Sequence, residues 1–436
     1  MKLNAGQTAA VERAVSGFLE SDLKGLTIIG EGGTGKTTCV MTIAERLLAA
    51  GLKVLFTAPT NKAVKQLEKA ARRHGLTQSN VAFQTLHSAI GLTMLPSEEQ
   101  KYAARTGKGV FPLFDVVVVD EASMLGKRVT FDYMMPEAIA NEVRLLLMGD
   151  DMQLPPVKEA KSPAFEIFET VRLTQVERQS GDSGILTVTG ALRTAMDSRR
   201  PFVAPPTPKN GVESLKAADF MKYVVDQFDE HTDLDDQRVL AWRNQRVDEI
   251  NRAIRQKIYG KGAARFEEGE RLVTAAPIGN GESILLSTDE ECILHSVRES
   301  YIEDDDSGET FRTWCLVLNP IHADVKQVIT HVLHESEQER YDARLRHFSD
   351  LAKKAGPQGS RGYWARYHKF KELFSHLRYC YCITVHRAQG STYKRVFVDV
   401  KDILGNTISN ERQRLLYVAY SRPSEVLVIN KEKYVA

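Results

Sequence analysis

The sequence lacks the features that mark secreted, membrane-spanning and zinc-binding proteins. Five cysteines are spread over 436 residues and no two of them form a C-x-x-C pair, so a zinc site is not expected. No apolar run approaches the length of a membrane span. The segment Met1–Ala14 has no apolar core, so we do not expect a signal peptide. These absences predict a cytoplasmic protein without a membrane partner.

An overall basic charge, the usual sign of a nucleic-acid-binding protein, is also missing. Lysine and arginine total 58 against 57 acidic residues, which gives a net charge of +1. This balance does not exclude nucleic acid as a partner, because a basic groove can be local. The length exceeds that of one ordinary core, and 42% hydrophobic residues suit a globular chain of several domains.

The most specific pattern is the stretch from Gly30 to Thr37, which has the form G-x-x-x-x-G-K-T of a phosphate-binding P-loop. An apolar run, Leu26–Ile29, precedes it as a buried strand does, and Thr38–Ala50 follows with helical apolar spacing. A helix N-terminus after a glycine-rich turn attracts phosphate, whereas a glycine-rich turn without function is the alternative. The pattern predicts contacts to ATP from Gly32, Gly33, Thr34, Gly35, Lys36, Thr37 and Thr38.

The chain up to about Leu173 alternates strands and helices. Strands are predicted at Lys53–Ala58, Val116–Val119 and Arg144–Met148, with a helix at Lys62–His74. Four consecutive valines suit a parallel strand that is buried on both faces. We therefore expect a doubly wound α/β domain, whose ligands bind at the carboxyl ends of its strands. A lapse in the pattern between Gly91 and Phe114 predicts a small inserted hairpin.

A second α/β region is predicted after Leu173. Its expected elements are strands at Arg238–Ala241, Tyr379–Val385, Val396–Val400 and Glu425–Ile429, and a helix at Val247–Tyr259. Residues 269–369 do not follow this alternation. Short strands at Glu270–Ala275, Cys292–Val297 and Trp314–Leu318 predict a small inserted β-barrel, which a basic helical stretch follows.

Polar residues follow two of the predicted buried strands. Asp120 and Glu121 come directly after the valine strand, where one carboxylate can hold Mg²⁺ and the other can deprotonate a water molecule. Gln153 lies in the loop after the next strand and can hydrogen-bond a γ-phosphate. The alternatives are a solvated acidic loop and an ordinary polar turn residue.

Two arginines and one aromatic segment complete the candidate residues. Arg178 and Arg422 can each enter a triphosphate site and stabilise the transition state, although most arginines are solvated surface residues. The segment Tyr363–Lys371 interleaves aromatic and basic side chains, so Trp364 can stack on a base. The alternative is an amphipathic helix whose aromatic residues pack on the core.

Taken in order, these segments resemble the motifs of the superfamily 1 helicases. The P-loop resembles motif I, Asp120–Ser123 motif II, and Gly149–Val157 motif III. The other matching segments are Ala58–Ala63, Thr85–Ser88, Leu173–Gln179, Trp242–Asp248, Ile383–Thr392 and Tyr417–Arg422. The wording Q-L-P-P-V in motif III and T-V-H-R-A-Q-G-S in motif V is similar to the RecD-like branch, superfamily 1B. Length and the β-insert resemble its Dda-like phage members.

The resemblance implies a fold and a role for each residue of the nucleotide site. The fold would be α/β, with two RecA-like parallel-sheet domains in tandem. The first, 1–172, would carry the hairpin at 91–114. The second, 173–268 and 370–436, would carry an SH3-like barrel and basic helical region at 269–369. The implied roles are adenine contact for Gln7, phosphate contact for Lys36, Mg²⁺ contact for Thr37 and Asp120, water activation for Glu121, γ-phosphate sensing for Gln153, and transition-state stabilisation by the arginine fingers Arg178 and Arg422.

The resemblance also implies a nucleic-acid track and a direction. Its backbone-contacting residues would be Thr60, His87, Asn244, Thr384 and His386. The expected activity is ATP-dependent 5′ to 3′ movement along single-stranded DNA and unwinding at duplex junctions. The expected form is a monomer, in the cytoplasm of a bacterial host if the protein is phage-encoded, with a replication or single-strand-binding protein as a partner. An RNA helicase of the same superfamily and a non-catalytic nucleic-acid-binding module are the alternatives.

One motif departs from the family pattern. Motif VI has Ser421 and Pro423 on either side of its arginine. Because proline has no backbone N–H, a helix cannot run smoothly past Arg422, and this affects how the arginine is aimed.

Overall fold

A computed structural model describes residues 3–77, 79–94, 102–104, 109–175, 183–202, 210–279, 284–323 and 325–431. Arg178 therefore lies outside the described residues. The chain divides into two compact units. Unit 1 comprises Met1–Thr93, Ala104–Ile258 and Tyr381–Ala436, and unit 2 comprises Met94–Ala103 and Tyr259–Cys380.

The described residues form strands and helices in the following chain order. The strands are β1 (Gly25–Gly30), β2 (Val54–Ala58), β3 (Val81–Thr85), β4 (Leu92–Met94), β5 (Tyr102–Ala104), β6 (Val116–Val119), β7 (Arg144–Gly149), β8 (Thr170–Leu173), β9 (Val212–Lys216), β10 (Gln237–Ala241), β11 (Arg271–Thr274), β12 (Ile278–Gly279), β13 (Ile284–Leu286), β14 (Glu291–Asp304), β15 (Glu309–Pro320), β16 (Val328–Leu333), β17 (Leu377–Tyr379), β18 (Cys382–Thr384), β19 (Tyr393–Val398) and β20 (Pro423–Lys431). The helices are α1 (Ala5–Glu20), α2 (Lys36–Ala49), α3 (Asn61–Arg73), α4 (Leu86–Ala89), α5 (Met135–Ala140), α6 (Gly184–Asp197), α7 (Ala217–Asp226), α8 (Asn244–Tyr259), α9 (Gln338–Lys354), α10 (Gly356–Glu372), α11 (Val400–Leu404) and α12 (Ser409–Tyr420).

Unit 1 contains a parallel six-stranded sheet in the order β3-β2-β6-β7-β1-β8. Every residue of β1, β2 and β6 is buried, as the four consecutive valines of β6 and the mainly apolar sequences of β1 and β2 predict. Helices α1, α2 and α3 pack their apolar stripes against the sheet in one continuous core. We call this part of unit 1 the first lobe. Because all six strands are parallel, the P-loop, Asp120 and Gln153 follow carboxyl ends of strands at one edge of the sheet.

Unit 1 also contains a parallel five-stranded sheet in the order β18-β10-β19-β20-β9. Helix α6 packs against α12 and β20 of this part, which we call the second lobe. Helix α12 ends at Tyr420, and Pro423 begins β20, so the proline lies where the chain has already left the helix. The arginine of motif VI is thus placed in the short connection between a helix and a strand.

The strand predicted at Tyr379–Val385 is wrong as a single element. The structure divides this run into β17, which pairs antiparallel with β11 in unit 2, and β18, which pairs parallel with β10 in unit 1. Both pieces are edge strands of their sheets. The residues on either side of the change are apolar or aromatic, so the pattern does not mark the point where the chain changes sheets. Strands β3, β8 and β9 were not predicted, since each is short and has few fully buried residues.

Unit 2 is built on an antiparallel sheet in the order β16-β15-β14-β11-β17, with β12 and β13 as a separate pair. The hairpin of β14 and β15 is much longer than the strands predicted there. Its turn lies at Asp304–Gly308 as expected, where the Ser307 hydroxyl donates to Asp304 Oδ2 over 2.7 Å and Gly308 has a φ of 70°. A closed SH3-like barrel stays a prediction.

Helices α9 and α10 cover the half of this hairpin that lies next to its turn. Their shared core includes Phe311 of β15 together with Tyr341, Phe348, Phe370 and Phe374. Phe311 is fully buried, and its ring lies 5.4 Å from that of Phe370 and 5.7 Å from that of Phe374. Edge-to-face aromatic contacts of this kind add to the stabilisation from area burial.

Strands β4 and β5 pair as a two-stranded sheet inside the segment for which the sequence predicts an inserted hairpin. Among the described residues, no helix combines the length and the apolar character that crossing a membrane requires.

Replacing Phe311 by alanine is expected to destabilise unit 2 by about 3–5 kcal/mol, because it removes a fully buried ring from the aromatic core. The matched control is Tyr301→Ala on the neighbouring strand, where the ring is 65% exposed. That change should cost less than about 0.5 kcal/mol. Denaturant unfolding of both variants measures the difference, and equal losses would contradict the packing described.

Candidate functional site

The P-loop joins a buried strand to a helix N-terminus. Strand β1 ends at Gly30 and α2 begins at Lys36. Gly33 and Gly35 have φ angles of 88° and 81°, which only glycine adopts without strain. No side chain caps the N-terminus of α2, so its first turn presents backbone N–H groups to the loop. This is the arrangement that binds a phosphate group.

The side chain of Lys36 folds back over the P-loop. Its Nζ donates to the carbonyl oxygens of Gly30 and Glu31, over 2.6 and 2.9 Å. The Thr34 hydroxyl also donates to the Glu31 carbonyl, over 2.8 Å. These bonds hold the loop as a closed turn with one ammonium group inside it, whereas Thr37 is exposed on the first turn of α2.

Gln7 connects α1 to the P-loop. Its side chain is 4% exposed, and Nε2 donates to the Thr34 carbonyl over 3.1 Å. Oε1 accepts from the Asn4 backbone, while the Gln7 backbone N–H donates to Asn4 Oδ1, so the two residues form a capping box. A side chain on Gly35 would collide with Gln7 Nε2. Adenine contact by Gln7 stays a prediction, and the structure gives this residue the further role of fixing the loop.

Asp120 and Glu121 follow β6 in a tight, strained turn. Glu121 has a φ of 50°, and its backbone N–H donates to Asp120 Oδ1 over 2.7 Å. Burial, and next the charge of Glu121, raises the pKa of Asp120 to about 7. Burial also raises the pKa of Glu121, against the opposing charges of Arg422 and Lys36. Two carboxyl groups are thus withdrawn from water beside two cations.

The oxygens around this turn fit a hard divalent cation. Glu121 Oε2 and Ser123 Oγ are buried, and neither makes a hydrogen bond within the described residues. The predicted ligands Thr37 and Asp120 offer a hydroxyl and a carboxylate, which are the donors that Mg²⁺ prefers. Glycines with positive φ, a helix N-terminus and Lys36 provide the matching site for a triphosphate.

Gln153 lies between the two lobes of unit 1. It is 6% exposed, and the Gln389 amide of the second lobe donates to Gln153 Oε1 over 3.5 Å and to the Leu154 carbonyl over 3.2 Å. Motif III of the first lobe therefore contacts motif V of the second directly, as a site that spans both lobes requires.

Arg422 is buried in the second lobe. Its guanidinium donates to the carbonyls of Val418 and Ser391, over 3.0 and 3.1 Å, and to the Ser421 hydroxyl. Its charge acts to lower the pKa of Glu121, as does the charge of Lys36 from the first lobe.

Sequence reasoning missed one cation at this site. Arg193 of α6 places Nη1 3.7 Å from Glu31 Oε2 and 3.9 Å from Asp150 Oδ1. Nothing in its local sequence marks it, since an arginine on an amphipathic helix is ordinarily solvated. Only its packing between the P-loop and motif III distinguishes it.

Comparison with known proteins places this geometry in a family. Residues 2–202 match the family described as AAA domain, and residues 379–429 match the UvrD-like helicase C-terminal domain. The chain is 24% identical to the ATP-dependent DNA helicase dda of Enterobacteria phage T4, over 91% of this chain and 92% of that protein. A mimivirus protein, R530 of Acanthamoeba polyphaga mimivirus, is 23% identical over 92% of this chain and 94% of its own length.

The chain thus combines an AAA domain with a UvrD-like helicase C-terminal domain and has ATP-dependent DNA helicases among its relatives, which is consistent with superfamily 1B. The family predicted from the motifs is thus confirmed. In structure it is similar to a Pif1 helicase from Candida albicans, with a TM-score of 0.52 over 99% of this chain and 95% of that one at 17% identity. A Bacteroides Pif1 helicase solved with ADP-AlF3 and single-stranded DNA also has a TM-score of 0.52, over 100% and 94%, at 15% identity. At this identity the likeness shows the fold.

Two of the predicted DNA-contacting residues lie at the carboxyl ends of strands, one in each lobe. Thr60 follows β2 and caps α3, where its hydroxyl accepts from the Ala63 N–H over 3.3 Å. Thr384 ends β18 and its hydroxyl accepts from the Arg387 N–H over 3.4 Å. The placement of one threonine after a strand in each lobe suits a track that runs over both sheets.

The other candidates for nucleic-acid contact differ in exposure. His386 and Asn244 are exposed, and His87 is half-buried. Desolvation lowers the pKa of both histidines. Trp364 lies on α10 of unit 2, half-buried, with its ring 5.4 Å from Tyr367 and 6.3 Å from His368. Phe370 on the same helix is fully in the core. Helix α10 therefore has one aromatic residue packed in the core, and beside it a partly exposed aromatic cluster around Trp364.

The Asp120→Asn variant tests the charge balance of the helicase site. Folding raises the pKa of this carboxyl, so the free energy of unfolding falls as pH rises from about 4 through about 7 and the buried carboxyl loses its proton. An asparagine at this position cannot ionise, so the variant does not show this fall. Without nucleotide or divalent cation, the variant should gain stability over the parent as pH rises, reaching about 2 kcal/mol at pH 8, since the carboxyl is half-buried and water screens part of its charge.

Thermal unfolding from pH 5 to 8 measures this gain. The control is Asp22→Asn, whose carboxylate is 83% exposed and pairs with Lys24 at the surface. Its effect should stay small at every pH. A gain for Asp120→Asn that is constant with pH would contradict the account.

Proposed function

We propose that the chain is an ATP-dependent DNA helicase that moves 5′ to 3′ along single-stranded DNA and unwinds duplex DNA ahead of it. The relatives that bear the names ATP-dependent DNA helicase dda, RecD2 DNA helicase and PIF1 support DNA as the substrate. The observation that supports the proposal is the contact of the second lobe with the loop of motif III, where the Gln389 amide donates to the Leu154 carbonyl over 3.2 Å and the Tyr417 hydroxyl donates to Asp150 Oδ2 over 2.7 Å. The direction of movement rests on the motif resemblance.

The chemistry assigned to this site follows from its groups. Lys36 leaves the carbonyls of its own loop and pairs with the β- and γ-phosphate oxygens of ATP. Thr37 and Asp120 would hold Mg²⁺, which would supply positive charge opposite the transferring phosphoryl group. Glu121 orients the attacking water and accepts its proton, for which its raised pKa suits it. Arg422, with Arg178 by resemblance, stabilises the transition state from the second lobe.

Movement then follows from a nucleotide site that both lobes complete. The Gln389 amide already contacts motif III, so a γ-phosphate that engages Gln153 changes a contact between the lobes. Closing and opening around ATP alternately shortens and lengthens the distance between Thr60 and Thr384, one in each lobe. If both grip the DNA backbone, each cycle of hydrolysis advances the protein along the strand.

The remaining assignments are also proposals. Trp364, supported by the aromatic cluster on α10, stacks on a DNA base. The strands of unit 2 form the SH3-like barrel of the family, and the segment 91–114 is the hairpin that parts the duplex. The protein acts as a monomer at junctions of single-stranded and duplex DNA, with a replication or single-strand-binding protein as its partner.

The Lys36→Ala variant is expected to lose more than 100-fold in ATP turnover and all detectable unwinding, because the phosphate charge is no longer neutralised. Binding of a fluorescent single-stranded oligonucleotide should stay within about threefold, since the lysine is not part of the proposed track. The control is Lys24→Ala, a 66% exposed lysine of the same lobe, which should behave like the parent. Unwinding by Lys36→Ala at the parent's rate would overturn the proposal.

Direction and substrate are tested with matched duplexes that carry a single-stranded 5′ tail or 3′ tail, made of DNA or RNA. We expect ATP-dependent strand separation only of the 5′-tailed DNA. Unwinding only from a 3′ tail would overturn the direction, and preference for RNA would overturn the substrate. Absence of unwinding together with absence of DNA-stimulated ATP turnover would instead favour a non-catalytic binding module.

A further inference from the structure

One face of α12 holds the loop of motif III. Arg414 Nη1 donates to the carbonyl of Asp151 over 2.9 Å and also to that of Gln153. Three residues on, the Tyr417 hydroxyl donates to Asp150 Oδ2 over 2.7 Å. Residues three apart share a helix face, so both side chains reach the same loop. The helix belongs to the second lobe and the loop to the first.

Arg193 joins this contact to the P-loop. Its Nη1 lies 3.4 Å from the Tyr417 hydroxyl, in addition to its approach to Glu31 and Asp150. The side chain of Asp150 is 1% exposed and that of Arg193 is 17% exposed. Burial and the charge of Asp150 raise the pKa of Tyr417, so its hydroxyl stays protonated and donates throughout the physiological range. A tyrosine and an arginine of the second lobe thus satisfy two carboxylates of the first.

The end of α12 transmits this contact to the arginine finger. The Ser421 N–H donates to the Tyr417 carbonyl over 3.1 Å, and Arg422 Nε donates to the Val418 carbonyl over 3.0 Å. Tyr417 and Arg422 are therefore fixed to the same last turn. A shift of Tyr417 relative to Asp150 moves Arg422 relative to Glu121 as well.

We propose that Tyr417 and Arg193 are positioning residues of the ATPase site, which hold motif VI at a fixed register against motif III and so place Arg422 at the reacting phosphate. The proposal rests on the proposed function. A purely structural role is a poor explanation for these residues, because buried charges stabilise a fold less well than apolar packing does. Buried polar groups that satisfy one another instead fix one arrangement of the two lobes that they join.

The test is Tyr417→Phe, which removes one hydroxyl from a buried ring. DNA-stimulated ATP turnover should fall about tenfold in kcat, since one hydrogen bond to a carboxylate is lost, while KM for ATP stays within about twofold. The matched control is Tyr223→Phe, whose hydroxyl also donates to a carboxylate, Glu213, over 2.9 Å, but within the second lobe. It should keep the parent's kcat. A kcat of Tyr417→Phe equal to that of the control overturns the proposal.

A double variant separates positioning from a general structural effect. If Tyr417 acts through Arg422, then Tyr417→Phe added to Arg422→Ala should lower kcat less than twofold further. Multiplicative losses would overturn the proposal. Arg193→Gln, measured alone and with Arg422→Ala, repeats the test from α6 should Tyr417→Phe fail to fold, which thermal unfolding reveals.

The parent and Lys36→Ala are measured beside these variants. A parent without ATP turnover overturns the proposed function and this inference together. An active parent with an unaffected Tyr417→Phe overturns this inference alone.

Discussion

Burial of charge between two parallel sheets is the constraint on which unit 1 depends. The carboxyl ends of β1, β6 and β7 are followed by Glu31, Asp120, Glu121 and Asp150, of which Asp150 is fully buried and the other three are half-buried. Buried carboxylates are costly unless cations or hydrogen-bond donors face them. Lys36 supplies one cation from the first lobe, whereas Arg193, Arg422 and the Tyr417 hydroxyl come from the second. The two lobes therefore complete each other electrostatically.

This constraint explains why the site suits a motor. Groups that balance each other across two lobes are sensitive to any charge placed between them, and a triphosphate with its cation is such a charge. Gln153 is held by Gln389 and by the contact of Arg414 with its backbone, so the proposed γ-phosphate contact of Gln153 would change contacts between the lobes. The hydrogen bonds between the lobes are few and directional, so they favour discrete arrangements rather than a continuous range.

Unit 2 is organised by a different principle. Its long antiparallel hairpin buries one half in the sheet core and the other half beneath α9 and α10, where Phe311 meets Phe370 and Phe374. Acidic residues at the hairpin turn pair with basic residues of the same helices, for example Asp306 with Lys369 over 2.8 Å. Part of the basic charge that suggested a nucleic-acid surface is thus used inside the unit, which leaves the aromatic cluster around Trp364 as the more distinctive feature of α10.

The sequence by itself determined the features whose physics is local. A P-loop needs glycines at positive φ, a preceding buried strand and a following helix, and all of these lie within some twenty consecutive residues. The buried strands β1, β2, β6 and β7 were likewise predictable, because burial on both faces requires unbroken apolar runs. The polar residues that follow such strands gave Asp120, Glu121 and Gln153 as candidates, and the motif resemblance added the roles expected of them and of Arg422.

Only the tertiary structure decided which distant residues meet. Arg193 looks like any arginine on an amphipathic helix, and its importance comes from Glu31 and Asp150, which lie far away in the chain. The apolar run around Cys380 gave no sign that the chain changes sheets there, since the residues on both sides of the change are apolar or aromatic. Gln7 was predicted as a site residue from its position alone, but its hydrogen bond to the Thr34 carbonyl depends on how α1 packs against α2. Such contacts depend on three-dimensional packing, which no local pattern encodes.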